Sequence, residues 1–309
     1  MGTVVEVTKP DSRRFSAVFA YAELFKARVT SLVVLTAWCG GCLAATHSGR
    51  GWTSPALLEA ALGVGLVAAG TAALNQVLER DIDAKMHRTM RRPLVTGVLE
   101  AVIATRLAIG MVLAGLTVLA WYCNWLTAVL TLLTSAVYLG LYTPLKTYGP
   151  CCTLVGAFPG AMPPLLGWVA VRGRLGWEPL VLFLILFFWQ FPHFHAIGLL
   201  YRDDYRRAGI RMLAVLDTGG RSIRRSIFTT SLALLPVTLF PTFLHMAGRV
   251  YFGAAVLLGL GLLFQAHRAW EVLARGQPRL SRQIAARLLR ATVVYLPALF
   301  LIMVLDPVR

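Results

Sequence analysis

The sequence predicts an all-α, polytopic membrane protein with nine transmembrane helices, and three observations carry that expectation. Of 309 residues, 57% are hydrophobic and 14% charged, with a mean hydropathy of +0.68; a soluble domain runs near about 25% charged. The uncharged residues gather in runs that match a bilayer core of about 30 Å, which takes about 20 helical residues to cross. The basic residues fall almost wholly on one side of the topology those runs define. The same composition excludes a disordered chain. A net charge of +16 would suggest nucleic acid in a soluble protein. In a chain this apolar it points instead to basic cytoplasmic loops, and no nucleic-acid partner is expected. The five cysteines form no even, spaced framework, so no disulfides are implied.

Taken in order, the uncharged runs are 29–49 and 60–78, then a double-length run at 107–145. That third run spans 39 residues, about two crossings, and Tyr122-Cys123-Asn124-Trp125 is its expected interfacial turn, with aromatic anchors. The fifth and sixth helices are expected at 147–171 and 179–201, and the last three at 226–248, 250–267 and 291–305. The final window is short, but Arg287 and Arg290 beside it can snorkel to the interface. Within the first helix, Cys39-Gly40-Gly41-Cys42 has C-x-x-C spacing in a hydrophobic setting, which favours close helix packing over redox or zinc chemistry. In the fifth, Gly156-Ala157-Phe158-Pro159-Gly160-Ala161-Met162-Pro163-Pro164 is dense enough in proline and glycine to be expected to break or bend the helix, giving room for a flat, bulky ligand. The aromatic run Phe187-Phe188-Trp189-Gln190-Phe191 would line that room or face lipid.

Nine crossings place the termini on opposite sides, and 24 Lys and Arg then lie on the N-terminal side against 5 on the other, with Arg106 in neither group. The positive-inside rule puts the first set, and the N-terminus, in the cytoplasm. Residues 1–28 form the cytoplasmic N-terminal segment. They carry Glu6, Asp11 and Glu23 and lack an apolar signal core, which favours a bacterial inner membrane over a mitochondrial transit peptide. Residues 29–309 form one transmembrane domain. Glu79-Arg80-Asp81 and Tyr201-Arg202-Asp203 are offset by 122 residues, each closing an even-numbered helix on one face of the membrane. That offset suggests a four-helix pseudo-repeat, 29–145 and 147–267, plus a ninth helix.

Polar residues concentrate at the cytoplasmic ends. Asn75, Glu79 and Asp83 are spaced i, i+4, i+8, about 0°, 40° and 80° around a helix, and so form one polar stripe. Three oxygen ligands beside Lys85, Arg88, Arg91 and Arg92 suit Mg²⁺ and a phosphorylated substrate, because Mg²⁺ takes one or two carboxylates together with phosphate oxygens. The competing reading is a solvated loop that only sets topology. Asn75 argues against it, lying inside an apolar window where polarity asks for a reason. A second cluster, His193, His195, Tyr201, Arg202, Asp203, Asp204, Tyr205, Arg206 and Arg207, follows the sixth helix. Two acidic clusters facing one cavity would hold a diphosphate through two metal ions. Lys146, four residues after Tyr142, is the lone cation of a short loop and is either a phosphate contact or a topological anchor. His193 and His195, two apart, point about 200° from each other; they are either contacts to haem or hydrogen-bonded interfacial residues.

These motifs resemble the UbiA superfamily of intramembrane prenyltransferases and, within it, the protoheme IX farnesyltransferase (haem O synthase) branch. The resemblance rests on Asn75-x-x-x-Glu79-Arg80-Asp81-Ile82-Asp83-Ala84-Lys85-Met86, Arg92-Pro93-Leu94, Tyr142-Thr143-Pro144-Leu145-Lys146 and the proline-rich block 156–164. It continues through Trp189-Gln190-Phe191-Pro192-His193-Phe194-His195 and Tyr201-Arg202-Asp203-Asp204-Tyr205, with Lys26-Ala27-Arg28-Val29 similar to the family's first-helix entry. It implies nine helices around a cavity open to the cytoplasmic side. It also implies transfer of farnesyl from farnesyl diphosphate to the 2-vinyl group of haem B, with addition of water, to give haem O. Asn75, Glu79 and Asp83, with Asp203 or Asp204, would then hold Mg²⁺; Lys85, Arg88, Arg92, Lys146 and Arg202 would hold the diphosphate; His193 and His195 would contact haem. Haem B, farnesyl diphosphate and the bilayer are the implied partners, and haem A synthase, the enzyme of the next step, is a candidate one. Three positions depart from the family pattern: Glu79 stands where many members have Asp, Leu199 stands where an Asp-x-x-x-Asp would need its first Asp, and Ala27 replaces a common Pro.

The rival readings are a related prenyltransferase acting on a quinone precursor or a chlorophyll, a transporter, and a haem-binding or assembly protein. A transporter predicts ionisable groups near the bilayer midplane, where this sequence is nearly bare. A haem-binding protein needs the histidines but not Asn75, Glu79, Asp83 and Lys146.

Overall fold

Nine helices of the described residues are long and apolar enough to cross a membrane, and no strand occurs among those residues. The structure, a computed structural model, describes residues 17–49 and 51–308; most of the expected N-terminal segment, with Glu6 and Asp11, lies outside them. The part of that segment that is described contains a short helix, α1 (Ala17–Leu24). The spanning helices are α2 (Ala27–His47), α3 (Pro55–Leu78), α5 (Ala101–Cys123), α6 (Trp125–Leu145), α7 (Cys152–Arg172), α8 (Trp177–Leu200), α11 (Arg221–Phe243), α12 (Arg249–Ala274) and α13 (Pro278–Leu305). Short helices α4 (Arg80–Asp83), α9 (Arg202–Arg207) and α10 (Leu213–Leu216) lie in the basic loops.

Each start and stop has a local cause. Pro55 at the head of α3 has its φ set for a helix and lacks the N–H that would go unpaired there. Asn124 turns the chain between α5 and α6: its backbone is extended, its side chain accepts from the Thr127 N–H at 2.9 Å, and its amide donates to the Val169 carbonyl at 3.0 Å. The expected turn at 122–125 therefore falls where the sequence puts it. Gly173, with φ +67°, ends α7 in the left-handed conformation that glycine adopts without cost. The last two helices run further than their uncharged windows, through Arg268 in α12 and Arg279, Arg282, Arg287 and Arg290 in α13. A helix satisfies its own backbone in water as well as in lipid, so it need not stop where the charges begin.

The core is organised around α7, 78% of whose spanning window is buried, against 22% for α5 at the periphery. This helix runs unbroken through Pro159, Pro163 and Pro164, so of the break or bend expected at 156–164 the break does not occur. Small residues of α2 and α7 serve close packing. A Cβ on Gly41 would lie 2.7 Å from Leu57 Cδ2 in α3, and one on Gly40 or Gly167 would collide with the α7 or α2 backbone, respectively. The Cys39–Cys42 segment is thus a packing surface, as expected, and its cysteines are free. The α3–α5 contact is built in the same way, Gly70 facing the Ala108 carbonyl and Gly63 facing Gly115. Apolar surface drives no association between helices in lipid, so such close backbone approach is what holds a bundle together. Phe158, Phe183, Phe187 and Phe191 form a ladder of rings with centroids 5.4–5.7 Å apart, while Trp121, Trp125 and Trp177 stand exposed at the opposite end from the basic loops.

Candidate active site

The polar stripe at the end of α3 forms as its spacing predicts. The Glu79 N–H donates to the Asn75 carbonyl at 2.9 Å and the Asp83 N–H to the Glu79 carbonyl at 2.8 Å, so the helical register continues from α3 into α4. Asn75, Glu79 and Asp83 are all buried, with 0%, 7% and 2% of their surface exposed. A buried carboxylate must be paired or hydrogen-bonded, and each of these is paired with a cation from elsewhere in the chain. Lys146 Nζ lies 2.6 Å from Glu79 Oε1, and Arg92 Nη1 lies 2.5 Å from Asp83 Oδ2. Asn75 Oδ1 accepts from Lys26 Nζ at 2.6 Å while its Nδ2 donates to Thr143 Oγ1 at 3.0 Å.

Four segments converge to make this arrangement: the α1–α2 corner, the α3–α4 stripe, the loop after α4 and the end of α6. The α6 end holds a π-helical turn, Val137–Tyr142, an irregularity often found at functional sites. It brings Thr143 against Asn75 and sets Lys146 Nζ 4.5 Å from the centre of the Tyr142 ring. The Thr89 hydroxyl secures the loop after α4, donating to the Asp83 carbonyl at 2.9 Å.

The electrostatics are those of crowded charge out of water. Burial, aided by Lys146 and Arg92, lowers the Lys26 ammonium to about 7. Burial raises the Asp83 carboxyl despite its Arg92 partner. For Lys146 burial works in the opposite sense, but the charge and hydrogen bond of Glu79 outweigh it and the pKa rises. Three cations thus surround two carboxylates, an excess of positive charge suited to a polyanion. Glu79 Oε2 and Asp83 Oδ1 accept no hydrogen bond from any described residue. Each carboxylate therefore keeps one oxygen for a cation. With the Asn75 amide oxygen, the donor set fits a hard divalent ion such as Mg²⁺.

The second acidic cluster is placed differently. Asp203 is exposed and pairs with Arg206 at 3.4 Å, and Asp204 pairs with Arg207, both across one turn of α9. Among the described residues no three Asp, Glu, His or Cys side chains converge on a metal-sized point, so this cluster is not brought onto Glu79 and Asp83. The two loops nevertheless touch. Met86 packs with Tyr205, Ala208 and Ile210, and Arg88 lies over the Tyr201 and Tyr205 rings at 4.9 and 6.0 Å. The Arg211 N–H donates to the Lys146 carbonyl at 2.8 Å. Arg202 is half-buried, with Nη2 on the Asp217 carbonyl at 3.3 Å and Nε unpartnered among the described residues. Lys85 and Arg91 are exposed at the rim.

The two histidines diverge, as their spacing requires. His193 Nδ1 is 3.0 Å from Thr292 Oγ1 on α13, and its ring stacks on Trp189. His195 is buried, with Nε2 2.8 Å from Ser226 Oγ on α11. The other ring nitrogen of each has no hydrogen-bond partner among the described residues. Lys26 was not among the site residues expected from sequence. Its signal was there, a cation at the lip of the first apolar run, but nothing local connects it to a residue 49 positions away.

The chain matches the UbiA prenyltransferase family over residues 33–289. It is 53% identical over 287 residues to a protein of Koribacter versatilis named protoheme IX farnesyltransferase, covering 93% of this chain and 92% of that one. A protein of the same name from Solibacter usitatus is 43% identical over 292 residues, covering 93% of this chain and 98% of that one. Among solved structures, digeranylgeranylglyceryl phosphate synthase aligns with a TM-score of 0.76 at 14% identity, covering 94% of this chain and 98% of that one. A UbiA homologue from Archaeoglobus fulgidus bound to DMAPP and Mg²⁺ aligns with a TM-score of 0.63 at 18% identity, covering 90% and 99%.

Proposed function

Since the chain belongs to the UbiA prenyltransferase family, we propose that it transfers farnesyl from farnesyl diphosphate to the 2-vinyl group of haem B, with addition of water, to give haem O. The observation that carries this reading is the convergence of three buried oxygen donors and three cations from four segments of the chain. The names of its relatives support the acceptor.

Asn75, Glu79 and Asp83 are the residues that would hold Mg²⁺, as the homologue bound to DMAPP and Mg²⁺ suggests for the family. Bound there, Mg²⁺ supplies positive charge that offsets that of the diphosphate. Lys146 and Arg92 turn from their carboxylates toward the diphosphate oxygens, and Arg88, Lys85 and Arg202 close on them from the rim. Together they stabilise the negative charge that develops as the farnesyl C1–O bond breaks. The vinyl group attacks the allylic cation, forming the new C–C bond. Water then captures the cation beside the macrocycle and loses a proton to solvent, leaving a hydroxyethylfarnesyl group. Asp203 and Asp204 join the metal only if their pairs with Arg206 and Arg207 open. His193 and His195, through their free ring nitrogens, are the haem contacts. A cavity open to the basic side, which we take as the cytoplasmic face of a bacterial inner membrane with the N-terminus inside, admits both substrates. Haem A synthase is the partner that would receive the product.

The test is a product assay by mass spectrometry. Purified protein in nanodiscs receives haem B, farnesyl diphosphate and Mg²⁺, beside an Asp83→Ala control. A product with the mass of haem plus a farnesyl and a hydroxyl group, lost with the variant or with EDTA, is the expected result. Haem returned unchanged while the diphosphate is consumed with a phenolic acceptor would overturn the acceptor and leave the reaction class.

A further inference from the structure

The seam between α8 and α13 continues past His193 to the basic end of the molecule. Trp189 Nε1 donates to the Thr292 carbonyl at 2.8 Å, and His193 Nδ1 meets the Thr292 hydroxyl at 3.0 Å. Trp189, His193 and Leu200 stand at i, i+4 and i+11, within about 40° of one another around α8. Where that line reaches the end of α8, a cavity of about 380 Å³ opens, lined by Leu200 with Arg279, Arg282, Gln283 and Ala286 of α13. The four residues of α13 are spaced i, i+3, i+4 and i+7, and so share one face of their helix.

The cavity has an apolar floor and a doubly cationic lip. Leu200 and Ala286 are half-buried, whereas Arg279, Arg282 and Gln283 are exposed. Neither arginine makes an ion pair or a hydrogen bond with any described residue. Arg290, further along α13, is turned onto its own helix instead, with Nε donating to the Ala286 carbonyl at 3.3 Å. Two guanidiniums one turn apart above an apolar floor suit a ligand that carries two carboxylates on the edge of a flat apolar body. Haem is such a molecule, with two propionates side by side on one edge. Topological anchoring explains arginines at a helix end, but not a cavity between them and Leu200, nor their alignment with His193. His193 lies seven residues before Leu200, about 10 Å along a helix that rises about 1.5 Å per residue. That is close to the reach from the centre of a porphyrin to its carboxylates, and the second ring nitrogen of His193 has no hydrogen-bond partner among the described residues.

We propose that Arg279 and Arg282 bind the two propionates of the haem acceptor, whose edge seats in the cavity between α8 and α13 with His193 toward the centre of the same macrocycle. This rests on the reading of haem B as the acceptor, and it makes the arginines the residues that select a macrocycle with free carboxylates.

The experiment titrates haem B and its dimethyl ester, which lacks the free carboxylates, into the full chain in nanodiscs of zwitterionic lipid, read by Soret absorbance against empty discs. The parent should bind the diacid about tenfold or more tighter than the diester, the scale of a charge-assisted hydrogen bond. A double variant, Arg279→Gln with Arg282→Gln, should bind both forms as the parent binds the diester. Its unfolding temperature should hold, because both side chains are exposed. Arg279→Lys with Arg282→Lys keeps the charge without the planar fork and should retain part of the preference. In turnover the glutamine variant should raise KM for haem about tenfold and leave KM for farnesyl diphosphate unmoved. A parent that binds diacid and diester alike, or a glutamine variant that keeps the preference, would overturn the proposal and leave the acceptor reading intact. So would a variant that loses co-purified phosphatidylglycerol while its haem affinity is unmoved, the mark of a lipid headgroup in the cavity. If the parent neither binds nor turns over haem in either form, the acceptor reading fails and the proposal with it.

Discussion

Glu79 and Asp83 on one loop, and Asp203 and Asp204 on the other, are the same chemistry with partners from different sources. The first pair is buried, and its cations come from 67 and 9 residues away. The second takes its cations from three residues along the same short helix; the Asp203 side chain is 84% exposed and that of Asp204 13%. An exposed local pair such as Asp203–Arg206 has little to say about tertiary structure, since each partner would be as content in water. A buried pair assembled from distant segments exists only because the fold brings it together, and it leaves two charges with no solvent to fall back on. The difference teaches that acidic residues are recognised as a site by where their partners come from, not by their own clustering.

The largest effect that tests this contrast is at Asp83. Asp83→Asn should lower product formation about 10²–10³-fold, the scale of a lost electrostatic stabiliser. EDTA on the parent should reach the same floor and added Mg²⁺ should reverse it, both read by mass spectrometry. A variant retaining a tenth of the parent rate would break the assignment of the first cluster.

A smaller effect, on stability, separates buried from solvated pairs. Lys146→Met strands Glu79 without its cation and should destabilise the protein by about 3–5 kcal/mol. Adding Glu79→Gln removes the stranded charge and should restore much of the loss, as read by unfolding in nanodiscs. Equal destabilisation in the single and double variants would mean that Glu79 has solvent to turn to.

The smallest effect is expected at Asp203. Its pair with Arg206 should contribute less than about 0.5 kcal/mol, so Asp203→Asn should leave the unfolding temperature unmoved and turnover within about threefold of the parent. A hundredfold loss of turnover at unchanged stability would instead show α9 unfurling onto the metal during the reaction, and would erase the contrast between the clusters.

Much of the fold was legible in the sequence. Uncharged runs must be helices in lipid, because no other single segment satisfies its own backbone there. The turn at Asn124 was marked by its polarity amid aromatic anchors. The stripe was legible because i, i+4 spacing is a local property of a helix, and its register survives the change from α3 to α4. At the proline-rich block the break did not follow, because proline removes hydrogen bonds locally, while its consequence depends on surroundings. In α7 the small residues let α2 pack closely against the backbone, and the helix stays continuous there. The ends of α12 and α13 were cut short because a charge marks the edge of lipid and not the end of a helix.

By itself, then, the sequence determined the helices, their order, the basic face and the carboxylates' common side, all of them consequences of hydropathy and of a 3.6-residue period that act within one segment. Tertiary structure alone decided that Lys146 meets Glu79, that Arg92 meets Asp83 and that Lys26 meets Asn75. It also decided that Asp203 and Asp204 turn to their own helix. The reason is that a buried charge takes whichever partner the packing delivers, and packing is set by close contact between glycines, alanines and prolines far from the charges themselves.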